Sequence, residues 1–127
     1  MSKFLPWRKR EASHQRTLDV KLDPTFDPNR LRKLGSDYGG WVYVDGPQLL
    51  GCTVLLAGAG EDISFDIEFA SIYGAKVFIL DPTPRAIEHF DRVIKRIGLG
   101  ATTGYSLTGL QPVESYDLSN VSEDQLT

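Results

Sequence analysis

The chain has 127 residues, a mass of 14.1 kDa and a formal net charge of −3, which leaves room for one small domain. Hydrophobic residues make up 41% and charged residues 24%, values that are typical of a globular protein and exclude disorder of the whole chain. The single cysteine, Cys52, excludes a disulfide framework. No apolar run approaches the roughly 18 residues of a membrane-spanning helix.

The charge is distributed unevenly along the chain. Residues 1–16 carry five bases and one acid, whereas the remainder carries nine bases and sixteen acids. An acidic body argues against a nucleic-acid partner, because binding to nucleic acid needs a basic face. The opening residues lack the apolar central run of a secretory signal peptide, so we expect a cytoplasmic protein.

Prolines and charged residues mark positions 1–34 as a polar N-terminal extension. Within it, residues 29–34 show a short helical pattern that the following glycine would end. Gly39 and Gly40 predict a turn. Trp41–Val44 is then a short β-prone run, typical of a strand.

Residues 52–97 show the clearest pattern, a predicted strand, helix, strand and helix. The continuous apolar run at 52–57 predicts a strand buried on both faces, as in a parallel sheet. Residues 62–73 predict a helix, and Lys76–Leu80 predicts a second strand. In 84–97, six apolar side chains recur at spacings of three and four, which predicts an amphipathic helix. The fold class expected from this order is α/β.

Residues 98–127 differ in composition from the rest of the chain. They are rich in glycine, threonine and serine, and they carry four acids and no base. We therefore expect a loosely ordered acidic tail.

The candidate site is the glycine turn Gly58-Ala-Gly60-Glu61-Asp62 after the first buried strand, together with Asp81 after the second. Glycines at 58 and 60 let the backbone approach a ligand closely. Asp81 lies 21 residues after Gly60, where a carboxylate at the end of the next strand accepts hydrogen bonds from ribose hydroxyls. The pattern predicts a nucleotide-type ligand at the carboxyl ends of the strands.

The acids at the turn discriminate between nucleotide classes. A pyrophosphate at a helix N-terminus would be repelled by Glu61 and Asp62, and Ile63 stands where a dinucleotide fingerprint needs glycine or alanine. S-adenosylmethionine carries a sulfonium and an ammonium group and no phosphate, so these acids suit it. An alternative is that the glycine turn is only a tight connection between strand and helix and binds no ligand. In that case the acids would complement the helix dipole, and Asp81 would be a turn residue.

Three strings resemble the FkbM-type methyltransferases over about residues 30–97. They are Gly58-Ala-Gly-Glu-Asp-Ile-Ser-Phe-Asp66, Asp81-Pro-Thr-Pro84 and the preceding Gly35-Ser-Asp-Tyr-Gly-Gly-Trp41. This family comprises class I S-adenosylmethionine-dependent enzymes, many of them O-methyltransferases acting on sugars or secondary metabolites.

The resemblance implies a Rossmann-like, three-layer fold around a parallel sheet, with residues 35–97 as its cofactor-binding half. It implies that Gly58, Gly60 and Glu61 lie against the methionine part of S-adenosylmethionine and that Asp81 binds the ribose, with Asp62 as a further contact. A small-molecule acceptor, a sugar or a secondary metabolite, is expected as the partner.

The chain is short for such a domain, which needs about 200 residues at roughly 30 or more per unit. We therefore expect an incomplete sheet, and an N-terminal fragment or truncated gene product that is inactive alone. Two alternatives are an NAD(P)-binding oxidoreductase fragment and a non-catalytic interaction module.

No catalytic base is identified in the sequence. His89 is predicted to share a solvated helix face with Arg85, Arg92 and Arg96, and Cys52 to be a core residue. No cluster of histidine and cysteine has the spacing of metal ligands.

Overall fold

The computed structural model describes residues 25–105 and 115–127, which form a small α/β fold with short mixed sheets and two helices. Within these ranges six short strands form three pairs. The strands are β1 (Leu31–Leu34), β2 (Trp41–Val44), β3 (Thr53–Ala57), β4 (Lys76–Leu80), β5 (Thr103–Tyr105) and β6 (Ser115–Asp117). The helices are α1 (Ser64–Tyr73) and α2 (Pro84–Gly98).

The predicted order of strand, helix, strand and helix is confirmed in β3, α1, β4 and α2. β3 and β4 are parallel neighbours, with Leu56 opposite Ile79. The expectation that both faces are buried is wrong for the described residues. Side chains alternate across a strand: Val77 faces the helices and is 1% exposed, whereas Leu55 on the other face is 68% exposed.

Before β3, the chain forms the antiparallel pair of β1 and β2. The strand at Trp41–Val44 was predicted, but the helix at 29–34 was not found: Pro28–Arg30 is a 3₁₀ turn, and Leu31–Leu34 is a strand. Pairing across the turn with β2 outweighs the weak local helical pattern. The pair packs on α1 through the ring of Tyr43.

The described part of 98–127 is not a loosely ordered tail. Four of its apolar side chains are buried in the main core: Tyr116, Leu118, Val121 and Leu126. Thr127 pairs with the edge of β4 that β3 leaves free, since its amide donates to the carbonyl of Val77 at 2.9 Å and its carbonyl accepts from Ile79 N at 2.7 Å. These apolar residues stand singly among polar ones, so composition conceals them.

Two expectations fall on residues outside the described ranges. The basic stretch at 1–16 and most of the predicted extension belong to residues 1–24, and part of the predicted tail belongs to residues 106–114. Neither described helix has the length and apolar character that crossing a membrane requires.

Replacing Leu126 with alanine tests whether the C-terminal residues belong to the core. Leu126 is 3% exposed, so we expect its truncation to leave a cavity and to lower the free energy of unfolding by about 2–5 kcal/mol. Urea denaturation followed by circular dichroism measures the change. Leu99→Ala is the matched control, because Leu99 is 76% exposed and its truncation should cost about 0.5 kcal/mol or less. Equal effects of the two substitutions would contradict this packing.

Candidate functional site

A cleft of about 690 Å³ lies between the glycine turn after β3, the beginning of α2 and the turn that precedes β2. The sequence-predicted residues Gly58, Gly60, Glu61 and Asp62 all line it. The structure therefore brings four of the five candidates together. Asp81, the fifth, lines a smaller neighbouring cavity of about 90 Å³.

The two glycines of the turn adopt left-handed conformations, with φ of 87° at Gly58 and 57° at Gly60. Side chains rarely tolerate such angles, which explains the choice of residue. A Cβ atom at either position would find nothing within 4 Å. No side chain therefore covers the backbone of the turn at these positions, and both glycines line the cleft.

Hydrogen bonds to the Asp81 carboxylate stabilise this turn. Its Oδ2 accepts hydrogen bonds from the amides of Ala59 at 3.0 Å and Gly60 at 2.8 Å. Its Oδ1 accepts from the amide of Thr83 at 2.9 Å and from the Thr83 hydroxyl at 2.7 Å. The bonds from Gly60 and Thr83 lower the pKa of the Asp81 carboxyl to about 2. A carboxylate has about four acceptor positions, so those of Asp81 are engaged by its own chain.

Asp62 joins the turn before β2 to the beginning of α1. Its Oδ2 accepts from the hydroxyl of Ser36 at 2.6 Å, and its Oδ1 accepts from the amide of Ser64 at 2.9 Å. The Ser64 hydroxyl in turn accepts from the amide of Ser36 at 2.8 Å. Burial acts to raise the pKa of Asp62, but these hydrogen bonds outweigh burial and hold the pKa below its ordinary value. Asp62 is thus an anchored, ionised group.

The same contacts give the segment Gly35 to Trp41 a structural role that its sequence did not reveal. A Cβ atom at Gly39 would lie 2.6 Å from the carboxyl carbon of Asp62, and one at Gly40 would collide with the backbone at Ser36. Both glycines are needed for this close approach. As a result, two exposed aromatic side chains stand at the cleft, Tyr38 at 68% and Trp41 at 61% exposure.

Glu61 extends across the cleft to the first turn of α2. Its carboxylate Oε1 lies 2.8 Å from Nε of Arg85, and its side chain is 15% exposed against 62% for Arg85. The charge of Glu61 is therefore partly balanced by a cation that remains accessible to solvent. Arg85 also lines the cleft.

Asp66 is a functional candidate that the sequence reasoning did not identify. It lies in the first turn of α1, lines the cleft and is 2% exposed, and its Oδ1 has no hydrogen-bond partner. Burial above all, and then the nearby charge of Asp62, raise the pKa of Asp66 to about 7 against a hydrogen bond from its own amide. The sequence offered one indication of its burial: Asp66 stands beside Ile67 in a helix whose apolar residues were expected to pack into the core.

His89 is buried, which corrects the prediction that it is solvated. Spacings of three and four from Ala86 and Val93 place it on the buried stripe of α2, where it is 0% exposed. Its Nε2 lies 3.0 Å from the hydroxyl of Tyr116, which also accepts from the amide of Ile63 at 3.3 Å. Burial lowers the pKa of His89, and the charges of Glu61 and Asp62 oppose that shift.

Within the described ranges, no group of three or more histidine, cysteine or acidic side chains is arranged to hold a metal ion. Cys52 is partly exposed and packs against the core cluster of Phe69, Tyr73 and Ala75. No protein-family model matches this sequence, and no curated protein or solved structure matches it.

The contribution of Asp66 to the stability of the protein should fall as the pH rises from about 4 to about 7. A raised pKa means that the folded protein binds more protons than the unfolded chain in that window. Asp66→Asn removes this dependence, so its stability relative to wild type should grow by about 2–3 kcal/mol between pH 5 and pH 8. Urea denaturation at both pH values measures it. Asp91→Asn, at an exposed position of α2, should show no such growth, and a constant difference for Asp66→Asn would refute the assignment.

Removing the carboxylate of Asp81 should loosen the glycine turn. In Asp81→Ala, we expect amide exchange at Ala59 and Gly60 to accelerate about tenfold or more, because both amides lose their acceptor. Hydrogen exchange followed by NMR measures the change. Asp117→Ala removes a similar turn acceptor, which bonds Ser119, and should leave both amides unchanged. Unaltered exchange in Asp81→Ala would show that the turn holds its shape without this contact.

Proposed function

We propose that this protein binds S-adenosylmethionine in the cleft and is a methyltransferase of the Rossmann-like class I type, transferring the methyl group to an oxygen of a small molecule. One observation carries the proposal. The turn at the carboxyl end of a parallel strand leaves open space over Gly58 and Gly60, and the cleft above it is lined by acids. Open α/β sheets bind ligands at this end of their strands.

The charge of the lining favours a cationic ligand without phosphate. Glu61, Asp62 and Asp66 all line the cleft, and Arg85 pairs with the first of them. A pyrophosphate placed over the turn would face these carboxylates, and like charges in a partly buried site repel strongly. The sulfonium and ammonium groups of S-adenosylmethionine would be attracted to the same groups.

The arrangement of β4 supports the proposed fold. β3 occupies one edge of β4, and Thr127 donates to and accepts from the other edge, with Leu126 and Val77 forming a parallel bridge. A third parallel strand in a Rossmann-like sheet would be bonded in this way. The described residues thus include parallel pairing on both edges of β4.

In this proposal the cofactor supplies the methyl group, and the chain binds and orients it. Gly58, Gly60 and Glu61 would contact its methionine part. Asp62 would act chiefly by anchoring the turn, since its oxygens are held by Ser36 and Ser64. Asp81 would reach the ribose only by exchanging one of its present bonds, and the Thr83 hydroxyl is the group that can rotate away.

Calorimetric titration of the full chain tests the proposal. S-adenosylhomocysteine should bind saturably, and NADH should neither bind nor compete. Glu61→Gln should weaken binding about tenfold, the effect of losing roughly one favourable charge contact. Glu88→Gln is the matched control, because Glu88 also pairs with an arginine of α2, Arg92, but is exposed and away from the cleft. Binding of NADH in place of S-adenosylhomocysteine would refute the proposal and favour an oxidoreductase.

A further inference from the structure

Asp66 lines the cleft and carries a buried, unsatisfied acceptor. Its residue is 2% exposed, its Oδ1 has no hydrogen-bond partner, and it lines the cleft beside the glycine turn. Buried polar atoms are almost always paired, so an unpaired carboxyl oxygen calls for a cause. The hydroxyl of Ser36 donates to Asp62, and the side chain of Ser64 also forms a hydrogen bond that lowers the pKa of Asp62, so both hydroxyls serve Asp62 rather than Asp66.

We propose that Asp66 is a further binding residue of the cleft, whose buried carboxyl releases its proton when an ammonium group of the ligand comes to lie on the unpaired oxygen. The inference rests on the proposed function, in which that group is the α-ammonium of S-adenosylmethionine. It assigns a role to a residue of α1 outside the glycine turn, and it makes cofactor binding depend on pH.

The chemistry of the position selects an ammonium group. An ionised carboxylate only accepts hydrogen bonds, and an ammonium group only donates them. The charge of Asp62, which acts on Asp66, adds to the attraction for a cation and repels a phosphate. A bond between the two charged groups would satisfy the oxygen that the free protein leaves unpaired.

The proton that is released on binding comes from the buried carboxyl group of Asp66. Because burial and Asp62 raise its pKa to about 7, about half of the molecules carry the proton at neutral pH. An ammonium group favours the ionised form, so binding transfers that proton to the buffer. Affinity for the amine should therefore rise with pH up to about 7.

The other ionisable groups around the cleft do not mimic this behaviour. They come from each surrounding element: Tyr38, Glu61, Asp62, Arg85, His89 and Tyr116. Asp62 has a lowered pKa and stays ionised near neutral pH. His89 has a lowered pKa and stays neutral there. Glu61 forms an ion pair with Arg85.

The test uses S-adenosylhomocysteine and its analogue that lacks the α-amino group, titrated into the full chain by calorimetry at pH 5.5 and pH 7. Wild type should prefer the amine about tenfold or more at pH 7, and its affinity for the amine should rise about tenfold between the two pH values. Titrations in buffers of different ionisation enthalpy should show release of about half a proton at pH 7. The analogue should show neither the pH dependence nor the release.

Asp66→Asn preserves the size of the side chain and should abolish the pH dependence, the proton release and most of the preference for the amine. Asp91→Asn on the exposed face of α2 should retain all three. Equal affinity of wild type for both compounds, or an unchanged pH profile in Asp66→Asn, overturns the inference while leaving the proposed function standing. Failure of wild type to bind S-adenosylhomocysteine at all overturns both.

Discussion

The carboxylate of Asp62 is the contact on which the cleft depends. It holds the hydroxyl of Ser36 and the amide of Ser64 at once, so it joins the turn before β2 to the first turn of α1. Without these two hydrogen bonds, the turn that carries Tyr38 and Trp41 would no longer be held at the side of the cleft. The close approach also explains the glycine at 39, where a side chain would displace the carboxylate. One partly buried carboxylate therefore sets the position of two segments that are distant in sequence.

The acidic residues of the site fall into two groups: those whose oxygens are hydrogen-bonded within the protein, and those with an oxygen available to a ligand. Asp62 and Asp81 are saturated by amides and hydroxyls of their own chain, and both have lowered pKa values as a result. Asp66 lacks such partners on one oxygen, and its pKa is raised instead. Glu61 forms an ion pair with Arg85, whose side chain remains accessible to solvent. Opposite pKa shifts in neighbouring carboxyls thus distinguish scaffold from candidate binding group.

The sequence predicted the part of the fold that depends on local periodicity. Strands β3 and β4 and helices α1 and α2 follow from apolar runs and spacings, and the glycine turn follows from its conformational requirement. It did not predict β1, whose pairing with β2 is a tertiary effect. Nor did it predict the buried role of Leu126, a single apolar residue among polar ones.

The sequence predicted part of the candidate cleft, and it missed the rest for similar reasons. Four of the five residues chosen from the sequence do line one cleft, because a turn after a strand keeps its neighbours together. His89 was misplaced because the arginines around it concealed its spacing from Ala86 and Val93, which is that of the buried stripe. Asp66 has an unpaired carboxyl oxygen because the nearby hydroxyl groups bind other partners. The sequence alone does not predict which partner each hydroxyl group binds.

The central claim is that the space over Gly58 and Gly60 receives a cationic nucleoside cofactor. The most direct measurement is a ¹⁵N NMR titration of the full chain with S-adenosylmethionine. The account predicts saturable shifts centred on the amides of Gly58, Gly60 and Glu61 and on the indole of Trp41, which line the cleft. Shifts confined to the exposed face of β3 and β4 around Leu55, or no shifts at millimolar ligand, would contradict it.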